Sequence, residues 1–143
     1  MKGRGRFIFS EGRFRTHVGL NLPGSSTFEF ATDEDGRATA PTGLALAAAG
    51  IAFCYITQIS RYIENMKLPI RGIRLVQSSP FSISADGNGV AAPCDTHLFL
   101  NGESTEDTFE MLQRVSANTC YLHQTMRQSP PLTLRFRLNG QEL

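Results

Sequence analysis

The sequence predicts an α+β fold, with a mainly antiparallel sheet and one long buried helix near the middle of the chain. Strand-like stretches stand on both sides of that helix, and the predicted order of elements is β-β-β-α-β-β-β-α-α-β. Strands grouped apart from helices are typical of this class. A chain of 143 residues suits one domain, residues 1–143, which would bury about two-thirds of its unfolded surface.

Composition excludes several classes of protein. An apolar content of 41% with 19% charged residues excludes a disordered chain, and without a triplet repeat it excludes a fibrous one. The N-terminal sequence MKGRGRFIFSEG lacks the apolar segment of a secretory signal. The longest apolar run, residues 43–56, has 14 residues, fewer than the roughly 20 that span a bilayer. These observations predict a soluble cytoplasmic protein with reduced thiols and no membrane segment.

Three strands are predicted before the helix, at residues 4–10, 13–20 and 27–31. In the second strand Phe14, Thr16 and Val18 share one face, while basic residues share the other. Residues 21–26 form a predicted turn, and residues 32–42 a predicted loop.

Basic residues are concentrated at the start of the chain. Residues 1–15 hold five basic side chains against one acid, a net charge of +4, and the remainder carries −3. One interpretation is an arm that binds nucleic acid. Because the basic residues alternate with Gly, Phe and Thr, and no later basic patch joins them, we prefer two edge strands with solvated arginines. We therefore expect no nucleic-acid partner.

A helical pattern covers residues 43–66. Its apolar side chains recur at spacings of three and four: Leu44, Ala48, Ile51, Tyr55, Ile59, Tyr62 and Ile63. The first half, LALAAAGIAFCYI, is apolar on every side and therefore needs an enclosed environment. A monomer of this size can barely surround such a helix, so a second subunit, and hence a homodimer, is expected.

Three further strands are predicted after the helix breaks at Leu68-Pro69, and they cover residues 70–77, 81–84 and 95–100. Ser104 and Asp107 match a capping box that opens a helix through about residue 117. Asn118 or Thr119 can cap a further short helix over residues 120–128. Pro130-Pro131 ends that helix, and residues 132–138 alternate as a last strand.

The three cysteines differ in their predicted surroundings. Cys54 lies in the most apolar turn of the long helix, where a free Cys is usually inert; reactivity there needs a cation brought from elsewhere. Cys120 stands at a predicted helix N-terminus, where N–H groups favour a thiolate, and a buried structural Cys is the equal alternative. Cys94 and His97 form a lone C-x-x-H pair. Because zinc needs four ligands in paired spacings, we expect no metal.

Other catalytic signatures are absent from the sequence, which has no G-x-S-x-G, phosphate loop or H-E-x-x-H. The three histidines, His17, His97 and His123, are each more typical of a surface or packed residue than of a catalyst. The acidic run Asp33-Glu34-Asp35 indicates a solvated loop.

Two segments together resemble the OsmC/Ohr family. Ala47-Ala-Ala-Gly-Ile-Ala-Phe-Cys54, followed by the run from Ser60 to Gly72, is similar to that family's Ala-rich central helix with one Cys and a basic-Leu-Pro turn. Cys120-Tyr-Leu-His-Gln-Thr-Met126 resembles its C-P-V-H-R-T-L signature. The two cysteines are 66 residues apart, a separation that suits the family, and the similarity is best over residues 41–138.

The resemblance implies an OsmC-like fold, an intertwined homodimer and a thiol peroxidase that reduces organic hydroperoxides. It implies a peroxidatic role for Cys54 and a resolving role for Cys120. It also implies a catalytic arginine after the first strand, which is Arg13 by position, with Arg15 as second choice. The reductant would be an external dithiol of lipoyl type, and no bound cofactor is implied.

Two positions depart from the family's pattern. The peroxidases of the family have Glu ten residues before the first Cys, where this chain has Leu44. Tyr121 replaces the Pro that follows the second Cys. The alternative function is accordingly a non-catalytic OsmC-like module that binds a small hydrophobic ligand in the cavity at the dimer interface.

Overall fold

A computed structural model describes residues 2–10, 13–21, 27–33, 40–139 and 141–142, with side chains at residues 30–32, 40–139 and 141–142. The predicted α+β class is confirmed. Within these residues, three N-terminal strands, a long helix, four more strands, two helices and a final strand pair follow one another. The N-terminal sheet is antiparallel, and so are two short hairpins further along the described chain.

The chain divides into two compact units, Met1–Ala52 with Gln77–Asp95, and Phe53–Val76 with Thr96–Leu143. The long helix runs from the first unit into the second without a break. The single domain over residues 1–143 stays a prediction.

The first unit contains a three-stranded sheet of β1 (Lys2–Ser10), β2 (Arg13–Asn21) and β3 (Thr27–Asp33), in the order β1-β2-β3. All three predicted strands are present, each extended by one or two residues. The same unit contains the hairpin of β5 (Phe81–Ile83) and β6 (Gly89–Ala91). Sequence patterns missed β6, because it has only three residues and exposed side chains.

Helix α1 (Gly43–Asn65) agrees with the prediction to one residue. The Thr42 side chain accepts a hydrogen bond from the backbone N–H of Ala45 at 3.1 Å and begins the helix. Lys67 takes a left-handed conformation with φ of 53°, and Leu68 N–H bonds to Ile63 C=O at 3.0 Å. This closing turn, followed by proline, ends the helix.

Enclosure of α1 was expected, and within the described chain it is incomplete. Its buried residues are Tyr55, Gln58 and Ile59, whereas Leu44 is 52% exposed and Phe53 72% exposed. By length and composition α1 is also a candidate membrane span, although the run of 14 apolar residues indicated none. Hydropathy averaged over a longer window tolerates the polar residues that interrupt such a run. An apolar helix this exposed needs a cover in water.

The second unit packs two helices and a strand pair around the C-terminal half of α1. Strand β4 (Ile70–Ser78), whose last two residues belong to the first unit, pairs with β7 (Asp95–Gly102). Helices α2 (Glu106–Thr119) and α3 (Tyr121–Gln128) follow. The buried core of this unit consists of Tyr55, Ile59, Leu112 and Cys120.

Both predicted helix caps in the second unit are wrong by one or two residues. The N-cap of α2 is Thr105, whose side chain accepts from Thr108 N–H at 3.3 Å, and not Ser104. Asn118 and Thr119 do not cap α3, because α2 continues through them. Cys120 instead ends α2 and caps α3. The sequence pattern could not distinguish a helix that continues from one that restarts.

The predicted last strand over residues 132–138 is also wrong. A hairpin of β8 (Arg137–Leu138) and β9 (Gln141–Glu142) stands there, and residues 129–136 are irregular. Their alternating apolar residues are solvent-exposed, Leu132 at 84%, Leu134 at 65% and Phe136 at 63%. Alternation predicts a strand only where a partner strand accepts its hydrogen bonds, and the described part of the chain provides none for this segment.

Candidate active site

Two cysteine thiols meet inside the second unit. The S–H of Cys120 donates to Sγ of Cys54 across 3.1 Å, although the residues are 66 positions apart in the chain. Helix α1 carries Cys54 and the junction of α2 and α3 carries Cys120. A disulfide has an S–S distance of about 2.05 Å, so a movement of about 1 Å joins the two sulfurs. The structure therefore brings together the two cysteines that the sequence singled out.

The two thiols differ in access, and burial acts on the pKa of the less accessible one. Cys54 is partly exposed, whereas Cys120 is fully buried. Burial raises the pKa of the Cys120 thiol, and the neighbouring Cys54 raises it further. The backbone amides of His123 and Leu122 lower it by less than burial raises it. The helix N-terminus thus acts in the expected direction, but burial dominates and Cys120 is a protonated thiol at neutral pH.

His123 contacts the buried thiol, although sequence patterns alone favour a surface or packed role for this histidine. Its Nδ1 lies 3.3 Å from Cys120 Sγ, and its ring packs against Tyr55 with 4.5 Å between ring centroids and a 43° tilt. Burial lowers the pKa of His123, and the nearby Arg127 charge lowers it further. His123 is therefore neutral at pH 7. The available signal was its spacing of three residues from Cys120, which places both on one side of a helical turn.

A cavity of about 480 Å³ opens beside this cluster within the second unit. Five apolar side chains, Leu98, Phe99, Leu100, Phe109 and Ala117, form much of its lining. Polar and aromatic groups complete the lining: Tyr55, Thr96, His97, Glu110, Gln113 and His123. An apolar pocket with a few convergent polar groups is the usual form of a small-molecule site.

Comparison with known proteins identifies the family of this chain. Residues 34–135 match the family model described as OsmC-like protein, which covers more than half of the chain. The chain belongs to the OsmC-like family. No match was found among curated proteins.

Solved structures of low sequence identity share the OsmC-like fold. An OsmC-like hydroperoxide resistance protein from Jannaschia sp. CCS1 is 20% identical, with a TM-score of 0.66 over 99% of this chain and 95% of its own. An OsmC-like protein from Mycoplasma pneumoniae is 15% identical, with a TM-score of 0.68 over 89% and 88% of the two chains. An organic hydroperoxide resistance protein from Legionella pneumophila is 14% identical, with a TM-score of 0.61 over 89% and 90%.

The other predicted site residues belong to the first unit. Arg13 and Arg15 are both in β2, but their side chains lie outside the described residues, so their assignment stays a prediction. Leu44, at the position of the usual Glu, stands in a first helical turn without an acidic residue. Cys94 is exposed, with Sγ 3.3 Å from Ser79 Oγ. Within the described ranges no group of three or more His, Cys, Asp or Glu residues could hold a metal ion.

Proposed function

We propose that this OsmC-like protein is a thiol-dependent peroxidase that reduces organic hydroperoxides through Cys54 and Cys120. The observation that carries this proposal is the 3.1 Å contact between the two sulfurs. A pair of reduced thiols at this separation, one partly exposed and one buried, supports two-cysteine redox chemistry in a family with hydroperoxide resistance proteins among its structural neighbours.

The difference in access supports an order for the two thiols. A hydroperoxide must reach a thiolate, and Cys54 is the thiol with exposed surface. Its sulfur attacks the peroxide, the O–O bond breaks, and the products are an alcohol and a sulfenic acid on Cys54. Cys120 then attacks the Cys54 sulfur, which releases water and forms the disulfide. An external dithiol of lipoyl type reduces the disulfide by thiol–disulfide exchange in the cytoplasm.

A cation near Cys54 would complete this chemistry by lowering the cost of its thiolate. We propose Arg13 for this role, with Arg15 as the alternative. Because Leu44 replaces an acidic residue that would hold the arginine, we expect the cation to be positioned by other groups.

Titration of thiols tests the proposed cycle. Cumene hydroperoxide should remove two thiols per chain, and dihydrolipoamide should restore both, because one disulfide forms and is reduced. The Cys94→Ser variant is the matched control, and it should also lose two. Free thiol counts before and after oxidation provide the measurement. A thiol count that hydroperoxide leaves unchanged contradicts the peroxidase.

That same unchanged count would favour the second candidate function, a non-catalytic module that binds a small hydrophobic ligand. The supporting observation is the cavity of about 480 Å³ with Leu98, Phe99 and Phe109 in its lining. In this case the cysteine pair would be structural, and the ligand would bind in the cavity without changing the number of free thiols.

We also propose that a second copy of the chain covers α1 and makes a homodimer. The support is the exposure of Leu44 and Phe53 on a helix whose first half is apolar all round. The mass of one chain is 15.7 kDa, and sedimentation equilibrium without detergent should give twice that value. Phe53→Asp should shift the protein towards monomer, whereas Asn65→Asp at the polar end of α1 should not. A protein that needs detergent and floats with lipid vesicles contradicts this proposal.

A further inference from the structure

No step of the proposed peroxidase cycle uses the contact between His123 and Cys120. Two groups lie within reach of the single proton of the Cys120 thiol, Cys54 Sγ at 3.1 Å and His123 Nδ1 at 3.3 Å. Nδ1 accepts that proton in the tautomer that has its own proton on Nε2. A half-buried histidine in contact with a buried thiol has a chemical consequence, because a neutral imidazole is a base.

The resolving step requires such a base. The nucleophile in disulfide formation is the thiolate, and a fully buried Cys120 holds its proton at neutral pH. The amides at the start of α3 favour the thiolate, but their effect is smaller than that of burial. Without a proton acceptor in contact with the sulfur, the second step of the cycle would be slow.

We propose that His123 is the base that removes the Cys120 proton as Cys120 attacks the sulfur of Cys54. The inference rests on the proposed peroxidase, since that activity supplies the sulfenic acid. The Cys120 Sγ–Cys54 Sγ bond forms and the S–O bond of the sulfenic acid breaks, so Cys120 is oxidised and the sulfenic sulfur is reduced. The proton passes from Cys120 to His123 and then to the departing hydroxide, which leaves as water.

The surroundings of His123 suit a base at neutral pH. Tyr55 of α1 packs on the imidazole ring of His123. The Tyr55 hydroxyl donates to the backbone C=O of Gln113 at 3.4 Å, and this hydrogen bond holds Tyr55 in place. Arg127, held by Asn118 Oδ1 at 3.2 Å, lies on the same helix as His123 and disfavours a second proton on the imidazole. Tyr55 and Cys120 are titratable groups in contact with His123, and the cavity that His123 lines has two more, His97 and Glu110.

The test isolates the attack of Cys120 on Cys54 without any hydroperoxide. In a Cys94→Ser background, dithionitrobenzoate modifies the accessible Cys54 and releases one coloured thiolate. Attack by Cys120 then releases a second, and the rate of this second release is the quantity measured. With His123 present the rate should be constant above about pH 7, since the lowered pKa of His123 keeps the base form populated there, and should fall in acid.

His123→Gln should slow the second release about 10²-fold at neutral pH, the lower end of the range for a general base. Its rate should rise with pH into the alkaline range, because hydroxide must then remove the proton from a thiol whose pKa is raised. Gln128→Ala, at the exposed end of α3, is the matched control and should keep the rate and profile unchanged. Added imidazole should accelerate His123→Ala, an effect that a merely structural histidine would not give.

A His123→Gln protein with the rate and pH profile of its parent overturns the inference. Consumption of cumene hydroperoxide by the parent protein tests the proposed peroxidase independently of the release rates. If the parent protein does not consume it, the proposed peroxidase fails, while the release rates still decide whether His123 acts on Cys120.

Discussion

Replacement of Cys54 by serine should abolish the reduction of cumene hydroperoxide. A serine hydroxyl does not ionise in this environment, so no nucleophile remains to break the O–O bond, and we expect a loss of about 10³-fold or more. Cys54 is only partly buried, and serine is close to it in size, so the fold should tolerate the change. Consumption of the hydroperoxide with dihydrolipoamide as reductant is the measurement.

Cys94→Ser is the control for this experiment, because Cys94 belongs to the other unit and contacts Ser79. It should retain full turnover. Activity that survives in Cys54→Ser, or that is lost in Cys94→Ser instead, would show that the reacting thiol has been assigned to the wrong residue.

Replacement of Cys120 should separate the first chemical step from the second. We expect Cys120→Ser to react once with hydroperoxide and to hold a sulfenic acid on Cys54, since the thiol in contact with Cys54 has been removed. Dimedone should trap that acid as an adduct visible by mass spectrometry. Excess hydroperoxide should oxidise it further to the sulfinic acid, so activity should disappear within a few turnovers.

Cys120→Ala is needed beside Cys120→Ser, because a hydroxyl buried at a fully enclosed position costs about 1–3 kcal/mol if it finds no partner. Both variants should give the dimedone adduct, whereas the parent protein should give a disulfide. Disulfide formation between Cys54 and Cys94 in either variant would contradict the assignment of Cys120 as the resolving thiol.

Most of the secondary structure could be predicted from local patterns. Alternation in the N-terminal strands and the spacing of apolar residues in α1 identify elements whose ends differ from the prediction by at most two residues. Prediction was wrong where two local signals compete. Thr105 and Ser104 are both good caps, and only the start of the helix decides between them. Residues 132–138 alternate like a strand, but a strand also requires a partner.

The candidate site could be predicted in part. The resemblance of two motifs identified Cys54 and Cys120, and the structure brings the two sulfurs together. His123 was visible three residues after Cys120, but a histidine taken alone is more typical of a surface or packed residue than of a catalyst. Its importance depends on the packing of Tyr55 and on burial, and sequence spacing determines neither.

The sequence alone determined the class of fold, the long apolar helix and the two cysteines whose motifs match the OsmC-like family. Each of these depends on residues close together in the chain, where periodicity and spacing carry the information. Tertiary structure alone decided which thiol is buried, and that His123 contacts it. Those properties depend on the removal of water by residues distant in the sequence, and burial reverses the local preference of the helix N-terminus for a Cys120 thiolate.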